Sequence, residues 1–281
     1  SLLLMLLYLI NQLNNKKYGW ATWLYQVMIW NFWVPEKVSW LWDDAIQYET
    51  MLTDAERRAY DWILSFLIFL DSIQTVNLPN FSEYITSPEV NLILAIQSYQ
   101  EAIHSQSYAT ILETVCDSEK RDDIYYFWKD DKNLLERNEY IWWIYQTFKD
   151  NPNDENLFKW IVWNFILESL YFYNGFAFFD TLADHWKMVA TDRMISYIRR
   201  DELTHVTLFA NILKEIKIEF PEIYSEEVVN EMFKVAVKQE IKWSKHILWD
   251  KIIWINEESI EKYTKRLAND RLAMLWISPL F

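Results

Sequence analysis

Glu101 and His104 stand three residues apart in the run EAIHSQSY, and Glu202 and His205 repeat that spacing in RRDELTHVTLF. A lone carboxylate precedes each pair in an apolar run: Asp71 in IFLDSIQ and Glu168 in FILESLYFY. On a helix, positions three and four apart share a face, so each Glu-x-x-His presents a carboxylate beside an imidazole. Carboxylate oxygens with one imidazole per ion suit divalent first-row metals, and bridging carboxylates let two ions sit close. Four such carboxylates offset the roughly four positive charges of two divalent ions. Any one piece alone reads as a surface pair or a core histidine with a partner. The doubled set, on segments too apolar to solvate it, points to a dinuclear metal site. His185 and His246, the other two of four histidines, lack such surroundings and read as ordinary surface or interface residues.

The elements that must position these residues are long helices. TDAERRAYDWILSFLIFLDSIQTV opens with a capping box, Thr53 with Glu56, and stays apolar at helical spacing to Val76. SPEVNLILAIQSYQEAIHSQSYATILETV starts at Ser87, with Pro88 in its first turn, and runs to about Val115. The pattern predicts further helices near 121–148, 154–182, 190–214, 226–250 and 257–275, separated by short polar breaks such as KDNPNDEN. No strand-like alternation of useful length occurs, and no linker divides residues 1–281. The expectation is one all-α domain whose central helices, apolar nearly all round, form the core of a bundle. Ferritin-like di-iron and di-manganese proteins carry this ligand pattern, with Glu where Asp71 stands here.

Composition narrows the function. A net charge of −14 argues against sequence-independent nucleic-acid binding, which needs clustered Lys and Arg. One cysteine, Cys116, excludes an internal disulfide and fits a reducing, cytoplasmic compartment. The opening SLLLMLLYLI is too short to span a bilayer and lacks the basic start of a signal peptide, so it reads as a buried or pairing segment and not a membrane span. The chain has 17 Trp and only 2 Gly, against a usual glycine content of about 7%. Trp42, Trp249, Trp254 and Trp276 fall where helix ends or loops are expected, positions that glycine usually fills.

FLDSIQ, EAIHSQSY, LESLYFYNGFAFF and RRDELTH, in this order and at these separations, resemble the small, radical-generating subunit of class I ribonucleotide reductase. NFWVPEKV near the start and KYTKRLANDRLAMLW near the end match that family too, so the resemblance spans residues 18 to 280. It implies that Asp71, Glu101, His104, Glu168, Glu202 and His205 bind two Fe, two Mn or mixed Mn/Fe ions. It makes Tyr108 the site of a stable radical formed when O2 or another oxidant activates the centre, with Phe172, Phe176 and Ile198 as its apolar pocket. Trp33 and Asp201 become the relay from His104 toward the surface. A large-subunit partner, a homodimer and, for manganese, an activating flavoprotein are implied as well.

The residues agree with these roles. Tyr108 follows His104 by four and so shares its face, and Phe172 and Phe176 follow Glu168 by four and eight. Asp201 adjoins Glu202 and points elsewhere, which suits a residue that orients a ligating imidazole. The bland reading of the phenylalanines and of Trp33 is plain core packing. Rival functions are a di-metal oxidase or oxygenase acting directly on an apolar substrate, a non-catalytic iron store, and an inactive helical scaffold. No glycine-rich phosphate cradle occurs, as expected where the nucleotide binds another subunit. The resemblance departs at Trp186, Trp249, Trp254 and Trp276, where the family commonly has Gly, and at Phe281, beyond which family members continue into a tail that docks on the large subunit.

Overall fold

Helix starts follow the caps written in the sequence. The computed structural model describes residues 11–248, 252 and 254–281. In chain order its helices begin with α1 (Gly19–Trp30), α2 (Leu41–Thr50), α3 (Asp54–Ser82) and α4 (Pro88–Val115). They continue with α5 (Ser118–Tyr126), α6 (Lys132–Asp150), α7 (Asp154–Ile166) and α8 (Tyr173–Asp184). The chain closes with α9 (Val189–Glu219), α10 (Glu226–Leu248) and α11 (Glu257–Met274), and no strand occurs among the described residues. Thr53 and Glu56 form the reciprocal capping box at the start of α3, and Ser87 caps α4 ahead of Pro88. Leu64, Leu67 and Leu70 of α3, Ile111 and Leu112 of α4, and Leu208 and Phe209 of α9 belong to one continuous buried core.

Several boundaries differ from the sequence reading, each for a physical reason. Helix α3 continues past Val76 and through Pro79 to Ser82, because Leu78 and Phe81 are buried and packing carries the last turns. The segment expected as one helix near 121–148 is two: Asp131 accepts a hydrogen bond from the Leu134 N–H (2.9 Å) and starts α6 afresh after a 3₁₀ turn at Phe127–Lys129. The helix expected over 154–182 is interrupted by a π turn, Leu167–Tyr171, between α7 and α8. Helix α9 runs five residues beyond 214, to Glu219, while α1 and α2 were not foreseen. The opening apolar segment and Trp249 lie outside the described residues.

Helix α3 is the one described helix long and apolar enough to cross a membrane, but 61% of that stretch is buried inside the protein. It carries Asp71 in its interior, as a core helix serving a polar site would. A second buried polar cluster ties α6, α8 and α10 together. Arg137 of α6 pairs with Glu240 of α10, both 1% exposed, and the Phe66 and Tyr171 rings flank the guanidinium at 3.9 and 4.0 Å. Asn174 donates to Glu240 at 2.9 Å and ties α8 into the same cluster.

The tryptophans flagged as glycine-like sort into two kinds. Trp186, Trp254 and Trp276 have left-handed backbones, with φ of 60°, 76° and 58°, and Trp40 joins them at 79°. Trp42 does not: it lies in the first turn of α2, and the chain reverses at Trp40 instead. Helices α8 and α11 both end in the two-bond cap that favours glycine. At α8, Lys187 N–H reaches Leu182 O and Trp186 N–H reaches Ala183 O, both at 2.9 Å. At α11, Ile277 N–H reaches Leu272 O and Trp276 N–H reaches Ala273 O, both at 3.1 Å. A side chain in this conformation costs about 1–2 kcal/mol, which glycine avoids. Trp186 is 81% exposed and so gives up little burial when replaced. Trp186→Gly is therefore expected to raise unfolding stability by about 1 kcal/mol, while Trp186→Ala, which keeps a Cβ, gains none. Denaturant midpoints of the two variants check this, and equal midpoints would count against it.

Candidate metal centre

Four helical segments converge on one buried cluster. Asp71 comes from α3, Glu101 and His104 from α4, Glu168 from the π turn, and Glu202 and His205 from α9, all with 0% exposure. Ligand atoms of Asp71, Glu101, His104 and Glu202 lie within 4.8 Å of one another, and so do those of Glu101, Glu168, Glu202 and His205. Glu101 and Glu202 belong to both groups. Two overlapping donor sets that share two carboxylates are what a pair of bridged ions requires. The π turn widens the helix locally and carries Glu168, a deformation that recurs at functional sites.

Each imidazole has one nitrogen committed outward and the other turned inward. Asp201 Oδ2 lies 3.3 Å from His104 Nε2, and Gln100 Oε1 lies 2.9 Å from His205 Nε2. Both oxygens accept an Nε2–H, so the two Nδ1 atoms, once deprotonated, are the lone-pair donors available to a metal. His104 Nδ1 faces Glu202 at 3.1 Å and Glu101 at 3.6 Å; His205 Nδ1 faces Glu202 at 3.0 Å and Glu101 and Glu168 at 3.4 Å. Gln100 was not singled out in the sequence. Its place next to Glu101, like that of Asp201 next to Glu202, is the signal that could have found it.

Glu168 is held from behind. Gln97 Nε2 donates to Glu168 Oε1 at 3.0 Å and lies 3.3 Å from Glu101 Oε1, and Gln74 Nε2 also donates to Glu168 Oε1. Tyr145 donates its hydroxyl to Gln74 Oε1 (3.1 Å) and Asn164 Oδ1 (2.9 Å). One oxygen of Glu168 is thus occupied while Oε2 has no partner. Helical spacing made these glutamines findable, since Gln97 precedes Glu101 by four and Gln74 follows Asp71 by three.

The cluster fits cations and little else. Both oxygens of Asp71, Glu101 Oε2, Glu168 Oε2, Glu202 Oε1 and His104 Nδ1 are buried without hydrogen-bond partners. No Lys or Arg pairs with these carboxylates among the described residues; their close charged partners are the two imidazoles. Without ions, burial pushes the Asp71 and Glu168 carboxyls well above the carboxylate range, and neighbouring carboxylates push the same way. Burial and Glu202 also raise Glu101. Burial opposes a charged imidazole at His104 and His205, yet Asp201, Glu101 and Glu202 hold His104, and Glu202, Glu101 and Glu168 hold His205, well above the usual histidine range. Glu202 goes the other way: burial raises it, but His205, Glu168 and His104 outweigh that and keep it ionised. Two divalent ions would replace these protons and balance four carboxylates with two neutral imidazoles.

Tyr108, one turn along α4 from His104, is 0% exposed and its hydroxyl has no partner. Burial, with Asp71 and Glu202 next, keeps the phenol protonated. Phe172, Phe176 and Ile198 are all buried to within 1% of full exclusion, and the two phenylalanine rings stack at 5.7 Å. Trp33, 2% exposed, donates its indole N–H to Asp201 Oδ2 at 2.7 Å, the same oxygen that meets His104. His185 and His246 lie away from the cluster; His185 Nδ1 meets the Thr181 carbonyl and His246 Nε2 meets Asp131.

Residues 10–281 match the family model described as ribonucleotide reductase, small chain. A ribonucleoside-diphosphate reductase subunit beta from Treponema pallidum is 43% identical over 275 residues, covering 97% of this chain and 78% of that protein. The ribonucleotide reductase R2 subunit from Clostridium botulinum superimposes with a TM-score of 0.92 at 47% identity, covering 95% of this chain and 84% of that one. The dimanganese(II)-NrdF of Streptococcus sanguinis shares the fold at a TM-score of 0.82 and 20% identity, over 96% of this chain and 93% of that one.

Since ions displace protons from Asp71, Glu168 and the imidazoles, metal uptake by the ion-free chain is expected to release protons, and affinity to fall as pH drops. Calorimetric titration with Mn(II) in buffers of different ionisation enthalpy reads the proton count. Uptake with no proton release would contradict the assignment.

Proposed function

The chain belongs to the ribonucleotide reductase small-chain family, and we propose that its buried cluster generates a radical on Tyr108 and passes it out through Asp201 and Trp33. As a small subunit of ribonucleoside-diphosphate reductase, it serves the conversion of ribonucleotides to deoxyribonucleotides with a large subunit. The site is suited to hold a pair of metal ions. The observation that carries the finer reading is the sharing of Glu101 and Glu202 between two donor groups, with an unpaired phenol one helical turn away.

Asp71, Glu101, His104, Glu168, Glu202 and His205 would hold the two ions. Loaded with Fe or Mn and activated by O2 or another oxidant, the pair supplies a one-electron oxidant beside Tyr108. Tyr108 gives up an electron and its hydroxyl proton. Asp71 is the carboxylate acting most strongly on that phenol. Burial of the tyrosine among apolar side chains, with Phe172, Phe176 and Ile198 as the pocket, keeps water and reductants from the phenoxyl. Asp201 Oδ2 accepts from both the Trp33 indole and His104, so it joins the ligand set to an oxidisable ring in one hydrogen-bonded line. Such a line favours radical delivery over direct oxidation of a substrate at the metals, which needs neither Trp33 nor Tyr108. A homodimer, a cytoplasmic location and, for a manganese centre, an activating flavoprotein complete the reading.

Tyr108→Phe is expected to retain both ions and react with oxidant, yet lack the tyrosyl signal in electron paramagnetic resonance. In the full-length chain with its large subunit, Trp33→Phe should retain both ions and lose nucleotide reduction, because Phe cannot donate to Asp201 and is far harder to oxidise. A wild-type radical spectrum from the first variant, or near-normal turnover from the second, would refute the respective role.

A further inference from the structure

Trp33 is gripped from two sides by α9. Asp201 accepts its N–H, and Tyr197, one turn earlier on the same helix face, stacks on its ring with centroids 5.0 Å apart and planes 19° from parallel. Trp33 itself is 2% exposed and cannot meet another protein directly. Tyr197 is only half-buried. We propose that Tyr197 is the next redox residue, carrying the radical from Trp33 to the protein surface. This rests on the relay role of Trp33 argued above.

The step balances within the chain. Oxidised Trp33, its N–H still bound to Asp201, takes one electron from Tyr197; the Tyr197 O–H bond breaks and its proton passes to solvent. Trp33 returns to its neutral form, and Tyr197 becomes a phenoxyl, to be reduced by one electron from the large subunit with return of a proton. The Arg200 guanidinium lies 5.2 Å from the Tyr197 ring centroid and is anchored on the Asn31 carbonyl. A fixed positive charge over the face opposes a ring cation, so electron loss must go with proton loss, which the half-exposed position permits.

Tyr197→Phe keeps the stacked ring and removes the oxidisable hydroxyl. In the full-length chain with its large subunit, nucleotide reduction is expected to fall by about tenfold or more, with metal content and Tyr108 radical yield unchanged. With 3-aminotyrosine at position 197, mixing with the large subunit and substrate should produce an aminotyrosyl resonance at the expense of the Tyr108 signal. Normal reduction by Tyr197→Phe beside an inactive Trp33→Phe, or no aminotyrosyl signal, overturns the Tyr197 step alone. Normal reduction by both variants overturns the relay reading and this step with it.

An independent observation supports a second inference. Of five described non-glycine residues at positive φ, four are tryptophan, although tryptophan supplies only 17 of 281 residues. All four are exposed: Trp40 71%, Trp186 81%, Trp254 73% and Trp276 62%. Neither glycine has positive φ. Chance placement does not put the bulkiest residue at the positions where backbone geometry asks for none. The geometry points to these four positions being glycine in the source cell, through a codon for tryptophan that is read there as glycine. Trp33 and Trp163, buried in the core, belong to the true tryptophans. Tandem mass spectrometry of peptides from the protein isolated from its source cells is expected to show glycine at 40, 186, 254 and 276 and tryptophan at 33 and 163. Tryptophan at the four exposed positions overturns the inference.

Discussion

Four carboxylates with no exposure and, among the described residues, no Lys or Arg partner set the terms for this fold. Removing a single carboxylate from water costs several kcal/mol, and here four sit within reach of one another. Protons on Asp71, Glu168 and the imidazoles relieve part of that cost; two divalent ions relieve it without leaving oxygens unpaired. The scaffold around them is correspondingly rigid. Gln74, Gln97 and Gln100 spend their polar groups on Glu168, Glu101 and His205, and Tyr145, itself bonded to Asn164, braces Gln74 in turn. Glu168, His104 and His205 are each held on the outer side, so their inward atoms stay aimed at one volume.

The same logic links the centre to the surface. Asp201 does two jobs with one oxygen: it fixes the tautomer of His104 and receives the Trp33 indole. Helix α9 therefore carries Glu202 and His205 of the buried cluster, Asp201 and the ring stacked on Trp33, over positions 197 to 205. A rigid helix sets all of these spacings at once. The Arg137–Glu240 pair and the Asn174 contact tie α6, α8 and α10 together, and the π turn that carries Glu168 lies just before α8.

Much of this was legible in the sequence because the informative features are local. The spacing of Glu101 with His104 and Glu202 with His205, the caps at Thr53 and Ser87, and the apolar runs between them are patterns a helix converts directly into geometry. The π turn was not legible, because Leu167–Tyr171 reads as continuous apolar helix and only the packing of Glu168 toward α4 and α9 demands the extra residue. The continuation of α3 through Pro79 was hidden for a similar reason: tertiary burial of Leu78 and Phe81 overrides a local break signal. The break at Asp131 was missed because its cap competes with a helical pattern on either side. Gln97 and Gln100 looked like neutral helix residues until the partner helices supplied Glu168 and His205. Trp186, Trp254 and Trp276 were visible as misplaced turn residues, whereas Trp40 was not, because the polar run after Trp42 drew the expected break two residues too far along; the left-handed backbones themselves emerged only from the folded chain.

Crystallographic anomalous scattering at the Fe and Mn absorption edges, on the chain loaded without oxygen, tests the central claim most directly. The account predicts two peaks per chain, one among Asp71, Glu101, His104 and Glu202 and the other among Glu101, Glu168, Glu202 and His205. A single peak, or peaks only at the surface with these side chains free of metal, would contradict it.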